Sequence, residues 1–272
     1  MAIKINPKPD EPQAPPRPTR PGLKIIGGIF IGIFTVVVIL VLAAGYFGFV
    51  PGISSIFGSD KPRDLGVTYT DADYLSVIAK DKIQRVDLPA DTPPAQSLSF
   101  SGSQPASFNI TSAEATALLN DTPWPYTPVS DCQVRFNADG TGELSGIMHF
   151  DKIHDYLIAR GYSESDYITG LNYLQKFAVI QKQMPFYVKG TGSVVNGVIT
   201  FDVSKLELGR FSVPLSQIND HKSELITAAR TAGSHVPGFK VNNFSISGGQ
   251  VHFDGTLPKT AARAVAGLTI PP

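Results

Sequence analysis

Three stretches of the chain alternate apolar and polar residues, break at a turn dipeptide, and alternate again. In "GTGSVVNGVITFDV", residues 190–203, the break is Asn196-Gly197; in residues 132–150 it is Asp139-Gly140, and in residues 239–258 it is Gly248-Gly249. Period-two alternation puts successive side chains on opposite faces of a strand, and these dipeptides tolerate the positive φ of tight hairpin turns. Each stretch therefore predicts an antiparallel β-hairpin. For Asn196-Gly197 the expectation is a type I′ turn, which fixes the register of its two strands. Along the first strand Gly190 and Gly192 share a face with Val188 and Val194, leaving a bare strip. Glycine inside a strand marks a bend or the close approach of a backbone or ligand. The strip is expected to lie under a helix or to line a groove, so that Gly192→Phe would block ligand uptake or over-pack the domain.

Helical spacing occupies other parts of the chain. "YTDADYLSVIAK" predicts a helix start at Thr70, with Asp71 and Asp73 in the first turn where the helix dipole favours negative charge. "ITSAEATALLN", residues 110–120, has Thr111 and Glu114 at capping-box spacing and an apolar stripe of Ala115, Leu118 and Leu119. Residues 151–183 predict two helices joined around Gly161, and residues 217–232 predict another. The order, a helix and then a hairpin, three times over, predicts an α+β domain in which antiparallel hairpins form a curved sheet with packed helices. The ligand-groove candidates are Val188, Gly190, Gly192 and Val194 on the strand, with Leu118 and Leu119 on the helix.

One apolar segment belongs to no globular core. Residues 25–50, "IIGGIFIGIFTVVVILVLAAGYFGFV", carry no charge. At about 1.5 Å rise per residue such a helix spans a hydrocarbon layer of roughly 30 Å. The run exceeds a cleavable signal's apolar core, and no cysteine follows it to take a lipid, so a retained single-pass anchor is expected. Lys4, Lys8, Arg17, Arg20 and Lys24 precede it, which places the N-terminus in the cytoplasm and the bulk of the chain outside. Gly28 and Gly32 have the small-xxx-small spacing of packed membrane helices. The expected divisions are a Pro-rich disordered tail at 1–24, the transmembrane helix at 25–50 and a linker with a short helical lead-in at 51–106. The extracytoplasmic domain follows at 107–258, then a tail at 259–272. Within the lead-in, residues 87–106 read as irregular.

Charge and reactive side chains narrow the function. Beyond residue 24 there remain 18 basic and 21 acidic side chains, so no basic face for nucleic acid is expected. Cys132 is the only cysteine and alternates with Val134 and Phe136, which predicts a small buried residue. "HFDKIHD" sets His149, Asp151, His154 and Asp155 close in sequence, yet no distant third ligand accompanies them. Trp124 in "TPWPYTP" reads as an aromatic plug beside the sheet. No nucleophile elbow, zincin motif or phosphate loop occurs. No catalytic residue, metal site or cofactor is expected.

The segments "NITSAEATALLN", "VRFNADGTGELSG", "MPFYVKGTGSVVNGVITFDVSKLELGRFSVP" and "ISGGQVHFDGTLP" together resemble the YpmS-like group of bacterial membrane-anchored extracytoplasmic proteins. The resemblance covers residues 108–149 and 184–258, including a turn that runs from Gly209 to Val213-Pro214. Residues 151–183 and 65–106 depart from the pattern. The resemblance implies one membrane helix and an outer domain, and it implies no reaction. By fold-level analogy with tubular lipid-binding domains, it implies a helix lying in the groove of a curved sheet.

These readings converge on a non-enzymatic membrane protein of the cell envelope whose partners are the bilayer, through residues 25–50, and a lipid or apolar ligand. A scaffold that binds another envelope protein is the alternative, and a cell-envelope hydrolase a third. An apolar groove would favour the first, an open strand edge the second, and converging acids or histidines the third.

Overall fold

The computed structural model describes residues 35–50, 52–163 and 182–266. The N-terminal tail, Gly28, Gly32 and the second helix expected within 151–183 lie outside the described residues. The chain divides into two compact units, 1–41 and 42–272. In the first, the described residues 35–41 are helical, with exposed apolar side chains such as Ile39 and Leu40. Among the described residues no helix is long and apolar enough to cross a membrane.

The second unit begins with the last helical turn of the apolar run, residues 42–46, and helix α1 (Ile53–Ile56). The sequence predicts residues 42–50 within the transmembrane helix and residues 51–64 as linker; the helix instead ends at Tyr46, and both stretches are bonded to the domain. Ser59 donates to the carbonyls of Gly45 (2.8 Å) and Ser54 (3.0 Å), and the Arg210 amide donates to the Phe47 carbonyl at 3.1 Å. Helix α2 (Asp71–Asp81) starts at Thr70, whose amide and hydroxyl both donate to Asp73. Strands β1 (Gln84–Leu88), β2 (Leu98–Ser101) and β3 (Gln104–Thr111) follow, then helix α3 (Ser112–Asn120). Its capping box joins Thr111 and Glu114 as the spacing predicts. The first hairpin pairs β4 (Val129–Phe136) with β5 (Thr141–His149) and leads to α4 (Ile153–Ala159).

The long hairpin of β6 (Gln183–Val195) and β7 (Val198–Leu208) turns at Asn196 (φ 50°) and Gly197 (φ 77°), both left-handed, as a type I′ turn requires. After β8 (Phe211–Ser212), the helix expected at 217–232 is two helices, α5 (Leu215–Asn219) and α6 (Lys222–Ser234). The last hairpin pairs β9 (Lys240–Ser247) with β10 (Gln250–Leu257), and β11 (Thr260–Ala264) follows. Residues 98–106 and 260–264, read from sequence as irregular or tail, therefore supply strands. They do so through distant partners: β11 lies between β1, to which it is parallel, and β2, to which it is antiparallel.

The larger sheet runs β3-β10-β9-β6-β5-β4, with β7 and β8 branching from β6. Flat, its outermost strands β3 and β4 would lie about 24 Å apart, five strand spacings. They do not, because α3 leaves β3 directly and bonds the open edge of β4. Ser112 accepts from the Phe136 amide at 2.9 Å, and Thr116 accepts from the Val134 amide at 2.9 Å. The Asn120 amide both accepts from the Cys132 N–H (2.9 Å) and donates to the Cys132 carbonyl (2.8 Å). Four residues of helix advance about 6 Å and two residues of strand about 6.6 Å, so every fourth helical side chain meets every second strand residue. The sheet is therefore curled, with α3 closing the gap. The expected stripe of Ala115, Leu118 and Leu119 is not what α3 buries; Glu114, Thr116 and Ala117 are, because this helix docks on a backbone edge.

Registers assign the faces. Phe108, Phe253, Phe244 and Val194 lie in one cross-strand row, and Val134, Leu144, Val188 and Leu206 in another. This face is apolar and lines the inside of the curl, where a Cβ on Gly142 would meet Ile246 of β9 at 3.0 Å. The opposite face carries Gln133, Ser145, Tyr187 and Glu207 in one row and Arg135, Glu143, Lys189 and Lys205 in the next.

Asn120→Ala removes both partners of the Cys132 peptide from the β4 edge. We expect a loss of about 2 to 3 kcal/mol in urea unfolding, since buried backbone groups left unbonded cost about 1 to 3 kcal/mol each. A change below about 0.5 kcal/mol, the scale of ordinary surface substitutions, would show that the helix-on-edge ladder does not hold the curl.

Candidate functional site

The four strand candidates lie along β6, but their two glycines do different things. Between Lys189 and Gly190 the register with β7 slips by one residue, Ser204 being the extra one, and its hydroxyl donates to the Lys189 carbonyl at 3.1 Å. A Cβ on Gly190 would collide with the Asp202 carbonyl oxygen, so this glycine admits the bulge. Gly192 instead faces open space, with nothing within 4 Å of where its Cβ would stand. The expectation that Gly192→Phe over-packs a covered strip is corrected accordingly. Gly192 and Ser193 sit where the sheet forks: β6 pairs β5 up to Thr191 and meets β9 only at Val194 and Val195. The fork leaves an opening of about 330 Å³ between Gly140, Ser193, Asp202 and Ile246.

Val194 takes part in a second opening, of about 210 Å³, between the inner sheet face and α6. Ile199, Phe239 and Val241 of the sheet side face Ala229 and Gly233 of the helix across it. Helix α6 buries none of its side chains, and Leu225 is 43% exposed. What holds it is peripheral. Arg160 donates to the Ala232 carbonyl at 3.3 Å, His235 stacks on Tyr162 at 4.3 Å, and Lys222 lies 5.4 Å from the Phe201 ring centre. Val188 is half-buried in the middle of the inner face. Leu118 and Leu119 are half-buried on α3 and line neither opening. The structure thus brings Gly192 and Val194 to openings and leaves the leucines apart from them.

The polar face holds a network that no sequence motif announced. Glu143 is 6% exposed, and its carboxylate accepts from Tyr187 Oη (2.6 Å), Arg135 Nη2 (2.8 Å) and Asn137 Nδ2 (2.9 Å). Burial alone would raise its pKa, but these bonds outweigh burial and bring the carboxyl down to about 2. Burial and the bond to Glu143 push the Tyr187 hydroxyl up to about 12. Residues 63–67 strap across this face. Arg63 pairs with Glu207 and stacks 4.0 Å from the Tyr187 ring centre, while the Leu65 amide donates to Gln133 at 2.7 Å. Each charge has its partner within the protein, which makes the network a fastening for the strap. Its only sequence signal is period-two spacing of charged residues across three strands, which becomes legible once the registers are known.

The remaining candidates are placed as follows. Cys132 is 2% exposed, and burial, with Asp131 beside it, pushes its thiol up to about 11. His149 bonds Ser130 at 2.9 Å, and His154 lies 3.3 Å from its neighbour Asp155. Among the described residues no three His, Cys, Asp or Glu side chains converge to hold a metal ion. Trp124 packs edge-on to Tyr126 (5.9 Å) and Tyr156 (5.8 Å), against Ala159 and Ala264.

Two measurements separate these roles. Gly190→Ala should cost about 1 to 3 kcal/mol of stability by forcing the bulge apart, whereas Gly192→Val should leave stability unchanged or raise it by up to about 1 kcal/mol. Equal losses at both positions would show that the fork is closed in solution. For Glu143, the folded pKa lies below the unfolded one. Its stabilisation is therefore complete above about pH 4.5 and is lost as pH falls through about 2. In acid titrations of unfolding, Glu143→Gln should lack up to about 3 kcal/mol of this pH-dependent stability. Parallel curves for the two proteins would dismiss the coupling.

No family model, curated protein or solved structure matches the chain.

Proposed function

We propose that the chain is a non-enzymatic, membrane-anchored protein of the cell envelope whose outer α+β domain takes up an acyl chain or similar apolar ligand between the curled sheet and α6. In this reading residues 25–50 cross the bilayer once with the basic tail inside, as the resemblance to the YpmS-like group implies. The observation that carries it is α6: 13 residues with no buried side chain lie over a sheet face whose apolar side chains are only half covered. A helix in a finished core buries an apolar stripe; one that buries none leaves apolar surface on both sides of a gap. An acyl chain entering that gap would cover Val194, Ile199 and Phe239 without requiring a polar partner.

A second reading has its own support. Among the described residues, no backbone bond reaches residues 198–205 of β7 from the side away from β6, whereas α3 covers the β4 edge. An unpaired strand edge of that length is a template for an added strand from a protein partner.

The test is to purify the full-length protein from membranes in a non-ionic detergent, wash it extensively and extract it with organic solvent for mass spectrometry. We expect about one acyl-bearing molecule per chain in the unsubstituted protein and a clear loss in Ala229→Trp, which fills the gap. A stoichiometric co-purifying protein without lipid would favour the strand-edge reading, and lipid retained equally by both proteins would overturn the groove.

A further inference from the structure

At the three-stranded sheet a cavity of about 260 Å³ is lined by Phe100, Trp124 and Tyr156 together with Arg85, Arg160 and Arg263. The size is just below the usual range for drug-sized ligands, and the mixture of an apolar wall with a few convergent polar groups is characteristic of small-molecule sites. Strand pairing fixes most of it. Arg85, Ala261 and Phe100 form one row across β1, β11 and β2, and Asp87, Arg263 and Leu98 form the neighbouring row on the same face. Trp124 is held by the bond from its indole N–H to Ser97 at 3.3 Å, and Tyr156 and Arg160 come from α4 and its C-cap.

The three arginines are not equivalent. Arg85 is neutralised by Asp81, which it grips through two nitrogens at 3.1 and 2.6 Å. Among the described residues neither Arg160 nor Arg263 has a carboxylate within ion-pair distance, although Asp87 stands opposite Arg263 in register. Arg160 lies 6.0 Å from the Phe100 ring centre and donates only to the Ala232 carbonyl; Arg263 donates to the Tyr74 hydroxyl at 3.1 Å. The Nε of Arg263 is buried and has no acceptor among the described residues. A guanidinium N–H removed from water and left without an acceptor is costly, and buried polar groups of this kind are satisfied by an ordered water, an ion or a ligand.

The geometry points to a binding site for a small organic carboxylate with an apolar or aromatic body. Arg160 and Arg263 take the carboxylate, and Trp124, Tyr156 and Phe100 enclose the body. A planar guanidinium fork matches a carboxylate bidentately, and excess positive charge in a partly desolvated pocket selects an anion over its neutral analogue. This site shares no lining residue with the groove under α6, although Arg160 also bonds the Ala232 carbonyl of that helix, and its ligand need not be the groove's.

The chain contains one tryptophan, so Trp124 reports on this cavity without a label. The experiment is to titrate the full-length protein in non-ionic detergent with octanoate, octanol and octylammonium while following tryptophan emission. We expect a saturable change with octanoate, at least tenfold weaker binding of octanol and no saturable change with octylammonium. Arg263→Gln and Arg160→Gln should each weaken octanoate at least tenfold while retaining the near-ultraviolet circular dichroism of Trp124, whereas Ala229→Trp should bind octanoate as the unsubstituted protein does once its added indole is allowed for. Equal affinity for octanoate and octanol, no response to octanoate, unchanged affinity in both arginine variants, or loss of octanoate binding in Ala229→Trp would each overturn the assignment. The Ala229→Trp arm also separates failure of this site from failure of the groove.

Discussion

The curled sheet depends on one commensurability: a helix and a strand can share hydrogen bonds when four residues of one advance as far as two of the other. Ser112, Thr116 and Asn120 meet Phe136, Val134 and Cys132 on that basis. The backbone groups of the β4 edge are thereby satisfied without another strand, and the helix that satisfies them is covalently continuous with β3 at the opposite edge. Closing the curl this way leaves its interior apolar. It also places β7 to branch from β6 outside the closed path, and among the described residues no backbone bond reaches its residues 198–205 from the side away from β6.

The two faces of the sheet then have different fates. The outer one is fastened: Arg63 and Leu65 of the strap meet Glu207, Gln133 and Arg135, and Glu143 binds Tyr187, Arg135 and Asn137. The charges of this network are paired with one another, while the buried Ser145 Oγ in the same row has no partner among the described residues. The inner face is left partly open beneath a helix that buries nothing, and the proposal of an apolar ligand follows from that difference. The arginine-lined cavity at the small sheet differs from both, since among the described residues two of its three guanidinium groups have no carboxylate within ion-pair distance.

Local signals determined much of this protein. Asn196-Gly197 and Gly248-Gly249 set two hairpins because only such residues accept consecutive positive φ values, and Thr70 and Thr111 set helix starts because their partners lie three residues away. The alternation of Cys132, Val134 and Phe136 assigned the faces of β4, and with them the burial of the lone thiol. What only the tertiary structure decided involves partners far apart in sequence. "TAARA" at 260–264 has helix-favouring composition and becomes a strand because β1 and β2, more than 150 residues earlier, flank it. Gly190 and Gly192 look alike along one strand, yet the bulge at Ser204 on the facing strand crowds the first and the fork between β5 and β9 bares the second. Leu118 and Leu119 form an apolar pair by spacing, but α3 turns its hydroxyl and amide side chains inward because an unpaired strand edge is its neighbour. Turns and caps are written within a few residues of chain. Strand partners, strand edges and uncompensated charges are set by which distant segments meet, and no local pattern encodes them.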